Sequence, residues 1–239
     1  MRILEGKGVT KYFGGLAAIS NVDFHVDQDE IVGLIGPNGA GKTTLFNLIS
    51  AALALNAGVI RFKGETISGL KPHQICRRGI ARTFQSVKIF ANMTALGNVM
   101  LGSLFGMSIG KSSADATREA IESLEFVGLS ALRAIPAKDL TLANQKRLGV
   151  ARALATKPEL LLLDELIAGL NPTETAQAME LVTRIRDRGV TVVMIEHVMK
   201  AIMSVCDRII VLHHGEKIAE GTPQKIATSE KVIEVYLGK

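Results

Sequence analysis

The sequence predicts an α/β fold in which a parallel sheet is covered by helices on both faces, flanked by an antiparallel edge sheet and interrupted by a helical insertion. Three observations carry this expectation. The apolar runs "EIVGLIG", "ELLLLDE" and "VTVVMIEH" read as strands buried on both faces. Helical stretches separate them, as crossovers between parallel strands require. Ahead of the first run, two alternating segments meet at Gly14-Gly15 and read as an antiparallel pair.

Taken in order, "RILEGKGVTKYF" and "AAISNVDFHVDQDE" form the edge pair, and "EIVGLIG" starts the parallel sheet. "PNGAGKTTLFNLISAAL" is a glycine turn running into an amphipathic helix, and "GVIRFKGETI" is a hairpin. Residues 86–140 change character. Two helices there, "MTALGNVMLGSLF" and "ADATREAIESLEFVG", are separated by the polar loop "GMSIGKSS". A helix at 142–156 follows, then the strand "ELLLLDE", a helix at 173–188 and the strand "VTVVMIEH". "DRIIVLHHGEKIAEGT" closes the sheet with a strand pair before a C-terminal helix. The expectation is one domain over 1–239, with a core from 1–85 and 157–239 and a helical subdomain over 86–156.

Composition limits the function classes. The 239 residues are 47% hydrophobic and 21% charged, enough for a sizeable core. Aromatics make up only 4%, which argues against a base-stacking surface. A net charge of +5 with no dense basic run disfavours nucleic acid and is compatible with an anionic membrane face. Cys76 and Cys206 are far apart and lack metal-type spacing, which suits structural thiols in a reducing compartment. The N-terminus has no signal-peptide core, and the longest apolar stretch, at 98–110, is broken by glycines and shorter than the roughly 20 residues of a membrane span. A soluble cytoplasmic protein is expected.

The chemistry is concentrated in four places. Gly36, Pro37, Asn38, Gly39, Ala40, Gly41, Lys42 and Thr43 fit G-x-x-x-x-G-K-[ST] after a strand and at the start of a helix. Its glycines let backbone N–H groups curl around phosphate oxygens, and the helix N-terminus adds partial positive charge. Lys42 reaches the terminal phosphates, while the Thr43 hydroxyl is a Mg²⁺ ligand. Asp164 and Glu165 end the strand "LLLLDE" on the side where parallel sheets bind ligands. Asp164 suits a metal, held directly or through water, and Glu165 suits a base for an attacking water. Alone, strand-end acids are commonly solvated turn residues; the phosphate loop upstream is what sharpens the reading. His197 ends a neighbouring strand, where an imidazole sits within reach of a terminal phosphate. Gln85 precedes the helical insertion and is positioned as a hinge between metal and helices.

In this order the pieces resemble the ATP-binding subunits of ABC transporters over the whole chain. The resemblance implies a RecA-like P-loop NTPase core, ATP and Mg²⁺ as ligands, and ATP hydrolysis. It assigns ATP contacts to residues 36–43 and to Thr44, and metal contacts to Thr43, Gln85 and Asp164. Glu165, His197, Lys42 and Gln85 take catalytic roles. Phe13 of "KYFGG" looks like the adenine-stacking aromatic, with Tyr12 the weaker candidate. Residues 140–145 occupy the signature position, so Thr141, Leu142, Ala143 and Asn144 would face a nucleotide on the other subunit of a head-to-tail dimer. "AGLNP" at 168–172 occupies the D-loop. "GIARTFQSVKIFANMTALGNVM", "LDELIAGLNPTET", "MIEHVMKAIMSVCDRIIVL" and the tail "EVYLGK" look more narrowly like branched-chain amino acid importer ATPases. Lipopolysaccharide-export ATPases are the alternative, and a catalytically silent regulatory subunit is another. A chromosomal ATPase would need long coiled-coil insertions, which the short 86–140 insert argues against, and an iron–sulfur-assembly ATPase would need different partners. The implied partners are a second ATPase subunit (identical or different), transmembrane permease subunits and, indirectly, a substrate-binding protein. The implied location is the inner face of the cell membrane.

The chain departs from the family pattern in three places. The signature reads Leu140-Thr141-Leu142-Ala143-Asn144, Leu166 replaces the usual proline after the catalytic acid, and Asn171 replaces the D-loop acid. Thr141 keeps a hydroxyl for an N-cap, and the first-turn amides still point outward, so the stretch reads as a modified but usable phosphate cap. Ala143 at helical φ is unstrained, and its methyl is expected to face the nucleotide. Phe90, Met93, Leu96 and Met100 are expected to line a groove that receives a membrane subunit's helix.

Overall fold

The computed structural model describes residues 1–86, 88–107, 110 and 112–237, without the Leu237 side chain. Ser108, Ile109 and Lys111 of the expected polar loop, and Gly238 and Lys239 of the tail, lie outside the described residues, as does Val87. Among the described residues, no helix is long and apolar enough to cross a membrane.

Strands β1 (Arg2–Phe13) and β2 (Leu16–Asp27) pair antiparallel across Gly14-Gly15, as the alternation predicts. The hairpin of β4 (Ala57–Phe62) and β5 (Glu65–Thr66) joins the other edge of β1, giving the order β2-β1-β4-β5. The second sheet has six strands in the order β10-β9-β3-β8-β7-β6. Its parallel members are β3 (Ile31–Ile35), β6 (Ile80–Arg82), β7 (Leu160–Asp164), β8 (Thr191–Ile195) and β9 (Arg208–His213). β10 (Glu216–Gly221) closes the edge antiparallel to β9.

Every residue of β3, β7 and β8 is buried. Their alternation divides two cores. Val32, Leu34, Leu160, Leu162, Val193 and Ile195 face helix α1 (Lys42–Ile49) and the antiparallel sheet. Ile31, Leu161, Leu163, Val192 and Met194 face a second core. That core takes in α3 (Ala95–Phe105), α4 (Ser113–Phe126), α5 (Leu142–Leu154), α6 (Pro172–Asp187) and α7 (Met199–Val205). Helices over 95–154 thus share one apolar cluster with the sheet.

Periodicity does not reveal α2 (Pro72–Arg77), β6, α7 or α8 (Pro223–Ala227), because three to seven residues are too few to show a repeat. The C-terminal helix is α9 (Glu230–Leu237). Both cysteines are free, and burial pushes the Cys206 thiol up to about 12, leaving it an inert core group.

Asn98 on α3 is fully buried and ties down the chain before it. Its Oδ1 accepts from Phe90 N at 2.8 Å, and its Nδ2 donates to the carbonyls of Phe90, Met93 and Thr94. Four residues on, α3 passes against α5. A Cβ built on Gly102 would stand 2.2 Å from Arg152 O. Gly102→Ala therefore forces the helices apart and should lower stability by about 1–3 kcal/mol. Urea denaturation monitored by circular dichroism is the check, and an unchanged midpoint would contradict the close approach.

Candidate functional site

The strand registers place the site. Leu34 pairs with Ile195 and Ile195 with Asp164, so β3, β8 and β7 end in one row. The residues just beyond that row are Gly36, His197 and Glu165. This is the carboxyl edge of a parallel sheet, where open α/β folds bind ligands.

The phosphate loop leaves β3 at Gly36 (φ +149), where a Cβ would stand 2.1 Å from Leu212 O. At Gly41 (φ +102) a Cβ would meet Ala18 O at 2.5 Å. No other residue fits either place. α1 begins at Lys42, so its first-turn amides open toward the loop. Lys42 is buried, and its Nζ donates to Gly36 O at 2.7 Å and Pro37 O at 2.9 Å. Desolvation lowers its pKa, with the charges of Glu165 and Asp164 opposing the shift. Asn38, Gly39, Ala40, Gly41, Lys42, Thr43 and Thr44 line one cradle together with Ala18, Glu165 and His197.

Two of the expected groups meet at Glu165. Gln85 Nε2 donates to Glu165 Oε2 at 2.7 Å, and His197 Nε2 lies 2.7 Å from Glu165 Oε1. The two bonds fix both carboxylate oxygens, one from the segment after β6 and one from the segment after β8. With the carboxylate ionised, Nε2 of His197 is the protonated nitrogen. Glu165 itself has φ +50, a left-handed conformation uncommon outside glycine.

Asp164 is held by an arginine. Its Oδ2 accepts from Arg82 Nη2 at 2.7 Å, with both side chains buried. Arg82 also donates to Asn47 Oδ1 and Ser50 Oγ, and its guanidinium stacks over the Phe46 and Phe84 rings. Its Nε has no hydrogen-bond partner among the described residues. Of the residues expected to hold metal, Thr43 lines the cradle, Gln85 reaches it through Glu165, and Asp164 adjoins it from the row behind. A hydroxyl, an amide carbonyl and a carboxylate form the hard oxygen set that Mg²⁺ takes.

Phe13 and Tyr12 are both about half exposed at the β1–β2 turn, on opposite faces of the strand, so exposure does not separate them. Thr141 caps α5 as expected, its hydroxyl accepting from Asn144 N at 3.4 Å. The expectation for Ala143 needs correcting. It is 8% exposed and shares the inward stripe of α5 with Lys146 and Val150, so its methyl packs into the chain. Leu142, 46% exposed, is the apolar side chain this helix end presents.

The other two departures also find structural places. Asn171 caps α6 through a reciprocal pair, its Oδ1 accepting from Glu174 N and Glu174 Oε2 accepting from Asn171 N. Leu166 is buried in the second core.

The expected apolar groove is met only in part. Phe90, 52% exposed, lines a cleft with Phe84, Leu101, Ile75 and Arg152. Leu96 and Met100 are partly buried and pack against the core instead, beside the buried face of α3 that carries Ala95, Val99 and Gly102. Met93 is exposed but outside the lining of that cleft.

Sequence reasoning missed Arg82, Lys146 and Glu196. Lys146 Nζ donates to Glu165 O at 2.7 Å, and Glu196 Oε1 accepts from Ile167 N at 3.0 Å. The available signals were the charges themselves: Arg82 in an apolar strand, Lys146 on the inward stripe of its helix, and Glu196 beside His197.

The ABC transporter family matches residues 19–168. A second family, described as branched-chain amino acid ATP-binding cassette transporter, matches residues 216–239. The chain is 41% identical to the high-affinity branched-chain amino acid transport ATP-binding protein BraF of Pseudomonas aeruginosa, over 99% of this chain and 98% of the relative. It is 39% identical, with the same coverage, to the corresponding protein LivG of Escherichia coli K12. A crystal structure of a nucleotide-free ATP-binding cassette from an ABC transporter is similar at a TM-score of 0.91 and 30% identity, covering 100% of both chains.

Glu196 gives the site a pH signature. Burial pushes its pKa up to about 7 from an ordinary 4.5, against the Ile167 amide and the charge of Lys146. A carboxyl raised in the folded state binds its proton more tightly there, so stability falls as pH rises from 4.5 to about 7 and levels off above. The loss is at most about 3 kcal/mol. Glu196→Gln should flatten this slope. Urea unfolding of both proteins across about pH 5 to 8 measures it, and parallel pH profiles would remove Glu196 as its source.

Proposed function

The chain belongs to the ABC transporter family of ATP-binding proteins, and on that premise we propose that it hydrolyses ATP to power import of branched-chain amino acids. The observation that carries the hydrolytic part is Glu165, held by Gln85 and His197 at the rim of the phosphate cradle. The substrate class rests on the likeness to BraF and LivG and on the family match over 216–239.

In this reading, the amides of residues 38–44 and the Lys42 ammonium bind the phosphates. Lys42 exchanges its two loop carbonyls for phosphate oxygens. Thr43 and Asp164 would hold Mg²⁺, with the Gln85 carbonyl beside them. When bound, the ion neutralises charge on the terminal phosphates. Glu165 takes a proton from the attacking water, its carboxylate aimed by Gln85 and His197. His197 also faces the terminal phosphate from the β8 side. Phe13 stacks on the adenine, and Tyr12 is the alternative.

Two such subunits, identical or different, would dimerise head to tail. The end of α5, with Thr141, Leu142, Ala143 and Asn144, would then face the nucleotide on the other subunit. Leu142 supplies the apolar contact, and the free first-turn amides supply the phosphate contacts. Permease subunits would dock in the cleft lined by Phe84 and Phe90, between a core of residues 1–85 and 157–239 and a helical region of 86–156. This puts the chain on the cytoplasmic face of the membrane, with a substrate-binding protein acting indirectly from the far side.

Glu165→Gln should keep ATP binding and lose turnover by about 10²-fold or more, because the water loses its base while the phosphate contacts stay. Size-exclusion chromatography with ATP and Mg²⁺ should show a dimer that the wild type passes through only briefly. Lys42→Ala should instead abolish ATP binding, as read by calorimetry. Wild-type turnover in Glu165→Gln would remove this residue from the mechanism.

A further inference from the structure

The left-handed backbone of Glu165 is held by hydrogen bonds from three sides. Its N–H donates to Ile195 O at 3.0 Å. Its carbonyl accepts from Lys146 Nζ at 2.7 Å. Two residues on, the Ile167 N–H donates to Glu196 Oε1 at 3.0 Å. The first bond belongs to the sheet edge. The other two come from side chains that are 7% and 3% exposed, respectively.

Burying an ammonium and a carboxyl group here is costly where apolar side chains would also pack. Each spends its contact on the main chain of the same three-residue peptide. Lys146 approaches from α5, one and a half turns beyond the capped end at Thr141. Glu196 approaches from the residue between β8 and His197. Lys146 faces the charges of Glu196 and Glu165, and Glu196 also faces the Leu166 amide. One side of the peptide is therefore held by a donor and the other by an acceptor, with Glu165 between the sheet and the helix.

We propose that Lys146 and Glu196 are positioning residues that fix the peptide from Glu165 to Ile167, and so fix the direction in which Glu165 presents its carboxylate. The inference rests on the ATPase reading above. Through Lys146 the orientation of Glu165 depends on the place of α5, and through Glu196 on the strand end that carries His197. A displacement of about 1 Å at a reacting group is enough to cost about 10²-fold in rate. Neither side chain lines the phosphate cradle, so nucleotide affinity is left to the loop.

The test uses the full-length chain with ATP and Mg²⁺, reading kcat by phosphate release and the ATP dissociation constant by calorimetry. Lys146→Ala and Glu196→Ala should each lower kcat about tenfold or more while the dissociation constant moves less than about threefold. Lys146→Arg keeps a long donor for the Glu165 carbonyl, and Glu196→Gln keeps an acceptor for the Ile167 N–H. Both should stay within about threefold of wild-type kcat. Wild-type kcat in either alanine variant overturns the proposal, as does a loss of affinity that parallels the loss of kcat. Should Lys146→Ala fail to fold, the two Glu196 variants decide by the same criteria. Glu165→Gln, assayed alongside, separates the two levels. Turnover by that variant sinks the ATPase reading, whereas a silent Glu165→Gln beside a fully active Lys146→Ala sinks this inference alone.

Discussion

In a parallel sheet buried on both faces, the register decides which core each side chain enters and which residues leave the strand ends together, and here that register positions the chemistry. Leu34, Ile195 and Asp164 stand in register across β3, β8 and β7, with the flanking positions divided between two cores. Beyond this row the chain leaves the sheet, and what leaves it is the phosphate loop, His197 and Glu165. Their proximity needs no long-range device. It follows from three strands ending together in one register.

The register delivers Glu165 to the right place, and polar bonds set its direction. Gln85 and His197 hold the two carboxylate oxygens, while sheet, helix and Glu196 hold the peptide beneath. A left-handed residue outside glycine persists only where its surroundings over-determine it. Those surroundings come from β6, β8 and α5, three stretches far apart in the chain. Glu165 is thus a point where separate parts of the fold are joined.

Much of this was legible in the sequence. Long buried strands, the glycine loop and the helices over 95–154 show themselves by composition and period. The strand-end residues Asp164, Glu165 and His197 could be placed because each follows an unbroken apolar run. What escaped did so for physical reasons. β6 is three residues long and shows no period, yet it carries Arg82 and leads into Gln85. Lys146 and Glu196 look like solvent residues by type, and only the inward stripe of α5 and the turn after β8 reveal them as buried. Ala143 was misjudged because the sequence gives the residue at a helix end but not the side of the helix that faces inward. Asn171 and Leu166 depart from the family pattern, yet each fills a complete structural role, as a cap and as a core residue.

Arg82 has a consequence of its own. A buried aspartate at the end of an apolar strand, close to Glu165, would be an electrostatic burden in a chain that lacked a cation. Arg82 carries that cation within the sequence, anchored by Asn47, Ser50 and two aromatic rings. The folded chain is therefore already neutralised at this point before any ion arrives. The strand end that carries Asp164 is thus balanced from within the sequence, by a side chain of the neighbouring strand.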